Sequence, residues 1–318
     1  MINFWRSKNY LTGANIYNDN VIDCLSTNMT VRNLKPLKIS FKGHTYIKMI
    51  QTYMRSLITN SQSLNIVDYN ACGWVSHKMK GKKVAIFHHY DENESERKKL
   101  KNSIIFKRFL KFASDSDVVV VVAKYWENYL NQLGIKQTKV IYNSFDINNF
   151  SHSQNSIEQF KQKYNLTKPI IYLGKNSYNK TFKIYDELKP LEKEYHIITT
   201  GRKREFEGPL FFNLKYSDYL KLLSLTELTI VCTPFNEGWN RIAHESILSG
   251  TKVLGTDSGG LGELLRLTGQ KILKKDESIF DATELVLKSN ENIRMDNLLK
   301  LNMTYFCSEW NSVIKDLK

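Results

Sequence analysis

Short, unbroken apolar runs alternate along this chain with longer stretches in which apolar residues recur every three or four positions. The runs read as strands covered on both faces of a parallel sheet, and the spaced stretches as helices burying one stripe. In the first half, strands are expected at 2–4, 65–67, 84–87, 118–122 and 139–141. The fourth is valine throughout, the β-branched composition that suits a doubly covered strand. A helix with Ile16, Val21, Ile22 and Leu25 on one face follows the first strand, and another over 125–133 is stopped by Gly134. A second series starts at Pro169, with strands at 170–173, 196–199, 228–232 and 253–254 and helices between them. Residues 151–167 are polar and read as a linker plus a short helix. A closing helix near 302–317 carries Tyr305, Phe306, Trp310 and Ile314 on its apolar side. Two alternating βα series predict an α/β protein of two Rossmann-like halves.

Bulk properties narrow the class. The chain has 318 residues, 42% apolar and 25% charged, enough for two globular domains. It has no apolar run of membrane-spanning length, and MINFWRSKNYL lacks the pattern of a secretory signal. Cys24, Cys72, Cys232 and Cys307 are far apart with no CxxC spacing, which reads as reduced thiols in a cytoplasmic protein. A net charge of +14 calls for an acidic partner, such as a phosphorylated substrate or an anionic lipid surface. No nucleic-acid-binding pattern accompanies that charge.

The chemistry concentrates in TPFNEGWNRIAHESILSGTKVLGTDSGGLGELL. It reads as a strand tip, a sharp turn at Glu237-Gly238, a helix through about Ser249, a strand at 252–255 and a second helix opened by Ser258-Gly259-Gly260. Two adjacent strand-to-helix turns aim backbone N–H groups at one place and suit an anion. Glu237 before the first helix, and Glu245 two turns into it, can take neutral hydroxyls beside that anion. Phosphate held by amides with carboxylates around it describes a nucleotide-sugar site.

Glu237, Glu245, Gly250-Thr251, Gly259-Gly260 and Glu263 together resemble the signature of the retaining GT-B glycosyltransferases of glycosyltransferase family four. The resemblance implies the GT-B architecture, two Rossmann-like domains facing a central cleft. The acceptor-side domain would span 1–155, completed by the helix at about 302–318, and the nucleotide-sugar domain 168–300. It also implies roles. Lys175 and Lys180, in Gly174-Lys175-Asn176-Ser177-Tyr178-Asn179-Lys180, fill the places of the two cations on the donor diphosphate. His88 matches a histidine near the donor sugar, with His89 and Asp91 beside it. Gly13 belongs to the loop that approaches the phosphates, where only glycine lets backbone come close. Asn213 and Leu214 stand where relatives hold the base. Gly238, Trp239, Asn240, Arg241 and Ile242 complete the donor set. Where the family often has Gly-Leu-Pro, this chain has Asn240-Arg241-Ile242, so Arg241 adds a cation at the helix start.

No metal or other cofactor is expected, because the two lysines and the helix amides answer the charge that grows on the leaving phosphate. Asp115-Ser116-Asp117 spells a DxD motif, yet it precedes a strand instead of following one. From Arg97 to Lys111 the chain has seven cations and no acid, with Ile105, Phe106, Phe109 and Phe112 on one side and Lys107, Arg108 and Lys111 on the other. This is a helix packed on the sheet with a basic back, or a helix lying at an anionic membrane surface. The function expected is a retaining, metal-independent transferase that moves sugar from a nucleotide-diphosphate sugar to a saccharide or lipid-linked acceptor in bacterial surface glycan synthesis. The alternative is a non-transferring GT-B protein, either a nucleotide-sugar epimerase or hydrolase or an inactive partner.

Overall fold

The computed structural model describes residues 1–6, 12–35, 44–91, 96–175, 178–201 and 208–318, with the side chains of 44–46, 96–102, 175, 178–180 and 182 also outside the description. The chain divides into two compact units, Met1–Ser144 with Met303–Lys318, and Phe145–Asn302.

The first unit holds strands β1 (Ile2–Trp5), β2 (Val31–Leu34), β3 (Leu64–Asp68), β4 (Lys82–Phe87), β5 (Val118–Val121) and β6 (Thr138–Val140). Its helices are α1 (Gly13–Ser26), α2 (His44–Leu57), α3 (Tyr69–Cys72), α4 (Glu96–Ser114) and α5 (Lys124–Gln132), and the final helix of the chain, α13 (Met303–Asp316), joins them. The second unit holds β7 (Ile170–Lys175), β8 (His196–Thr200), β9 (Leu210–Phe212), β10 (Thr226–Val231), β11 (Lys252–Thr256) and β12 (Lys271–Leu273). Its helices are α6 (Gln154–Tyr164), α7 (Tyr178–Leu188), α8 (Tyr216–Ser224), α9 (Arg241–Leu248), α10 (Gly260–Thr268), α11 (Ile279–Lys288) and α12 (Asp296–Leu299).

Among the described residues each unit carries one all-parallel sheet, ordered β2-β1-β3-β4-β5-β6 and β12-β11-β10-β7-β8-β9. In both, the first strand leads to one side and the chain then returns to the other. The order therefore reverses between β1 and β3, and again between β7 and β10. Ligands of open parallel sheets bind outside the carboxyl ends of the strands at such reversals.

The central strands are those expected from their apolar runs. Val84, Ile86, Val119 and Val121 are fully buried, as are Ile171, Leu228, Ile230 and Leu254 in the second unit. Strands β2, β9 and β12, which were not among the expected strands, each lie at a sheet edge and are only three or four residues long. The segment read as a linker contains α6, which packs against α8 within the second unit. The closing helix lies on α1, with Phe306, Trp310 and Ile314 buried.

The cysteines require a correction. Cys24 on α1 and Cys307 on α13 form a disulfide, their Cα atoms 5.1 Å apart and their positions 283 residues apart in sequence. The packing of the first helix on the last creates that proximity, so residue spacing gave no sign of it. Cys72 and Cys232 are free thiols.

Candidate functional site

At the reversal in the second unit, the carboxyl ends of β7 and β10 and the starts of α7 and α9 enclose a pocket of about 160 Å³, walled by Gly174, Thr181, Thr233, Glu237, Asn240 and Ile242 among others. Gly174 has φ +68°, a left-handed conformation that favours glycine, at a break in the β7–β8 register. Its carbonyl accepts a hydrogen bond from Thr199 Oγ1 at 2.8 Å, which fixes the direction in which the chain leaves the sheet. Lys175 ends β7 and Lys180 lies in the first turn of α7, so the backbone brings both to this corner. Their side chains lie outside the described residues.

The two strand-to-helix turns are joined directly. Glu237 and Gly259 form a parallel bridge, and Gly260 N–H donates to Glu237 O at 2.9 Å. Gly259 has φ +58°, and a Cβ there would sit 2.5 Å from Glu237 O, so the approach requires glycine. Hydroxyls complete the lock. Thr256 Oγ1 accepts from Thr233 N–H at 3.0 Å and donates to Thr233 O at 3.1 Å, while Ser258 Oγ donates to the same carbonyl. Glu237 is thereby held half-buried at the rim of the pocket. Asn240 caps α9, its Oδ1 accepting from Ala243 N–H at 2.9 Å, whereas α10 has no side-chain cap. At the start of α10 the backbone takes up the amides instead, Gly260 N–H donating to Glu237 O and Leu261 N–H to Ser258 O at 3.1 Å.

Glu245 is buried one turn further along α9. Its Oε1 accepts from Arg241 Nη2 and from Tyr216 Oη, each at 3.2 Å. Burial pushes this carboxyl up, and the Arg241 charge together with the hydrogen bonds opposes the rise. Arg241 is fixed in turn by stacking over Phe145, 4.1 Å from the ring centroid. The arginine therefore serves Glu245 in this structure. Trp239 Nε1 donates to His244 Nδ1 at 2.9 Å, making both part of the wall behind the turn. Asn213 and Leu214 follow the edge strand β9; Asn213 is exposed and Leu214 packs on the core beneath.

In the first unit, His88 follows β4 and is buried, its Nε2 3.5 Å from Asp68 Oδ1 at the end of β3. Asn18 Nδ2 donates to the same oxygen at 3.1 Å, and the His88 ring packs edge-on to Tyr17. The Nε2 makes no hydrogen bond to that carboxylate, so the packing on Tyr17 sets the ring's place, with Asp68 at its edge. Asp68 escaped the sequence reading, although an acid closing an apolar strand was the available signal. Gly13 opens α1, behind the Thr12 cap, near the end of β1. There the buried Arg6 pairs with Asp19 and donates to Asn15 Oδ1. Asp117 is committed elsewhere, accepting from Lys83 N–H and Lys82 Nζ before β5 starts.

No family model matches the chain. It is 25% identical over 284 residues to the uncharacterized glycosyltransferase MJ1178 of Methanocaldococcus jannaschii, a match covering 84% of this chain and 77% of that protein. The structure of Anabaena Alr3699/HepE in complex with UDP-glucose is similar with a TM-score of 0.76 and 15% identity over 99% of both chains. Sucrose-phosphate synthase (tll1590) from Thermosynechococcus elongatus gives a TM-score of 0.78 and 14% identity over 99% of this chain and 98% of that one. Together with the two reversing parallel sheets, these likenesses identify the fold as GT-B.

Proposed function

We propose that this GT-B protein is a retaining, metal-independent glycosyltransferase that takes sugar from a nucleotide-diphosphate sugar. The observation that carries the reading is the joined pair of turns, which holds Glu237 at the rim of the pocket at the β7–β10 reversal. The name of the relative and the UDP-glucose bound by HepE support a nucleotide-sugar donor.

In this reading the diphosphate lies in the pocket at the starts of α7 and α9, with Lys175 and Lys180 supplying cations. Their charge and the helix amides stabilise the leaving β-phosphate as the glycosidic bond breaks. Glu237 takes sugar hydroxyls and Glu245, held by Arg241 and Tyr216, serves the nucleoside side. Asn213 and Leu214 flank the base, and the backbone at Gly13 approaches the phosphates. His88, beside Asp68, positions the sugar or the acceptor hydroxyl. The acceptor is a saccharide or a lipid-linked saccharide of a bacterial surface glycan, and the exposed cations of α4 bring the enzyme to the anionic inner face of the membrane.

A panel of UDP-, GDP-, ADP- and TDP-sugars read by thermal shift tests the donor site. A ligand at a hundred times its dissociation constant adds about 2.7 kcal/mol of stability. A shift with one nucleotide series, transfer that persists in excess EDTA, and a product keeping the donor's anomeric configuration are the expected results. No shift with any member overturns the donor reading. Loss of transfer on chelation, restored by manganese or magnesium, overturns metal independence, and an inverted product overturns retention.

A further inference from the structure

Helix α2 is built inside out. At 100° per residue, Ile47, Ile50, Met54 and Leu57, with Ile58 just beyond, fall within an arc of about 100°. This apolar arc faces outward: Ile50 is 62% exposed, Met54 58% and Ile58 83%. The opposite arc carries Thr52 and Ser56, and it is buried. Ser56 Oγ donates to Tyr53 O at 2.6 Å and accepts from Ser76 N–H at 2.8 Å, so a hydroxyl network anchors the helix. A surface helix ordinarily does the reverse, burying hydrocarbon and showing polar groups.

The outward face of α4 adjoins it. Phe106, Phe109 and Phe112 are buried, leaving Lys107, Arg108 and Lys111 exposed around Ile104. Arg108 lines a groove of about 350 Å³ together with Met49, Ile50 and Tyr53 of α2 and with Gly73 and Trp74. The apolar strip and the basic strip therefore share an edge. Neither 44–58 nor 97–114 contains an Asp or a Glu.

We infer that this face docks on an anionic lipid bilayer, the α2 strip entering the acyl boundary while the α4 cations meet lipid phosphates. Charge complementarity selects this occupant. A second copy would set Lys107, Arg108 and Lys111 near their own counterparts, with no acid on either segment to answer them. A bilayer supplies hydrocarbon and negative charge side by side, in the order in which the two strips present their partners. The inference extends the attraction of α4 alone to an inserted element, and it is independent of donor chemistry.

The test is sedimentation of the full chain with vesicles of phosphatidylcholine alone and with about a third phosphatidylglycerol, alongside light scattering without lipid. The expected result is partitioning into the anionic vesicles only, with a residue of binding that survives high salt. Ile50→Asp with Met54→Asp should lower partitioning at least tenfold, and Lys107→Glu with Arg108→Glu and Lys111→Glu should do the same. Ile50→Trp should be quenched by brominated acyl chains. Unchanged melting temperatures and unchanged donor-induced shifts in these surface variants keep failure of this idea apart from failure of the transferase reading. Indifference of the wild-type protein to anionic vesicles overturns the inference, as does full binding by the α2 variant. A dimer that Ile50→Asp dissociates, without lipid binding, assigns the face to a second copy instead.

Discussion

Lys175 and Lys180 are the residues whose removal should separate chemistry from folding. Each sits where the backbone of β7 and α7 turns toward the pocket. Lys175→Ala or Lys180→Ala should lower turnover roughly a hundredfold, the scale of losing one charge-stabilising donor, with little change in melting temperature. Near-wild-type turnover in both would defeat the phosphate assignment. His244 governs a different property. It is fully buried, accepts a hydrogen bond from Trp239, and its pKa is lowered to about 3, first by burial and then by Arg241. His89 is lowered to about 4, first by burial and then by His88. Both stay neutral in the folded chain while the unfolded chain gains protons below about pH 6.5. Their contribution to stability is therefore present above that pH and lost as pH falls toward the folded values. Each can steepen the decline by up to about 1.4 kcal/mol per pH unit. Urea midpoints between about pH 7.5 and about pH 5 should fall more steeply for wild type than for His244→Gln.

At the scale of elements, Gly259 links β11 and α10 to the turn carrying Glu237. Gly259→Ala meets Glu237 O and a left-handed φ together, and should cost roughly 2 kcal/mol or more. Donor-induced thermal shift should vanish with it, and a full shift in this variant would show that the joined turns are dispensable. The disulfide between α1 and α13 predicts a second effect. Closing so long a loop can add about 5 kcal/mol on the chain-entropy estimate. Reductant should lower the melting temperature of the wild-type protein, while Cys24→Ser should start lower and ignore reductant. Elements also differ in how clearly the sequence announced them. The central strands were legible because burial on both faces demands continuous apolar runs. Strands β2, β9 and β12 were not, since an edge strand of three or four residues is too short to tell from a loop, even where, as in Leu210–Phe212, it is apolar throughout. Helix α2 has its apolar stripe at helical spacing, but spacing alone does not tell that the stripe faces away from the core. The turn at Glu237 was legible because closely spaced glycines and acids mark the crossing of two turns. Asp68 and the Cys24–Cys307 pair depend on which distant segments pack together, which local pattern does not encode.

Across the whole molecule, the route of the chain is itself a constraint. Met1–Ser144 needs Met303–Lys318 to cover α1, while Phe145–Asn302 is continuous in sequence. Phe306 and Trp310 are fully buried in that covering, so the first unit lacks part of its core until α13 arrives. Synthesis runs from the amino end, and domains generally fold as units when their residues are available. The half begun first must therefore be finished last. On stalled ribosomes, nascent chains ending before α13 should show a protease-resistant 145–302 region and a readily cut amino-terminal half. Release of the final helix should then protect both. Equal early protection of the first half would show that its sheet closes without that helix. Until then the apolar side of α1 is open to chaperones, and α13 acts as the latch on a sheet made long before it.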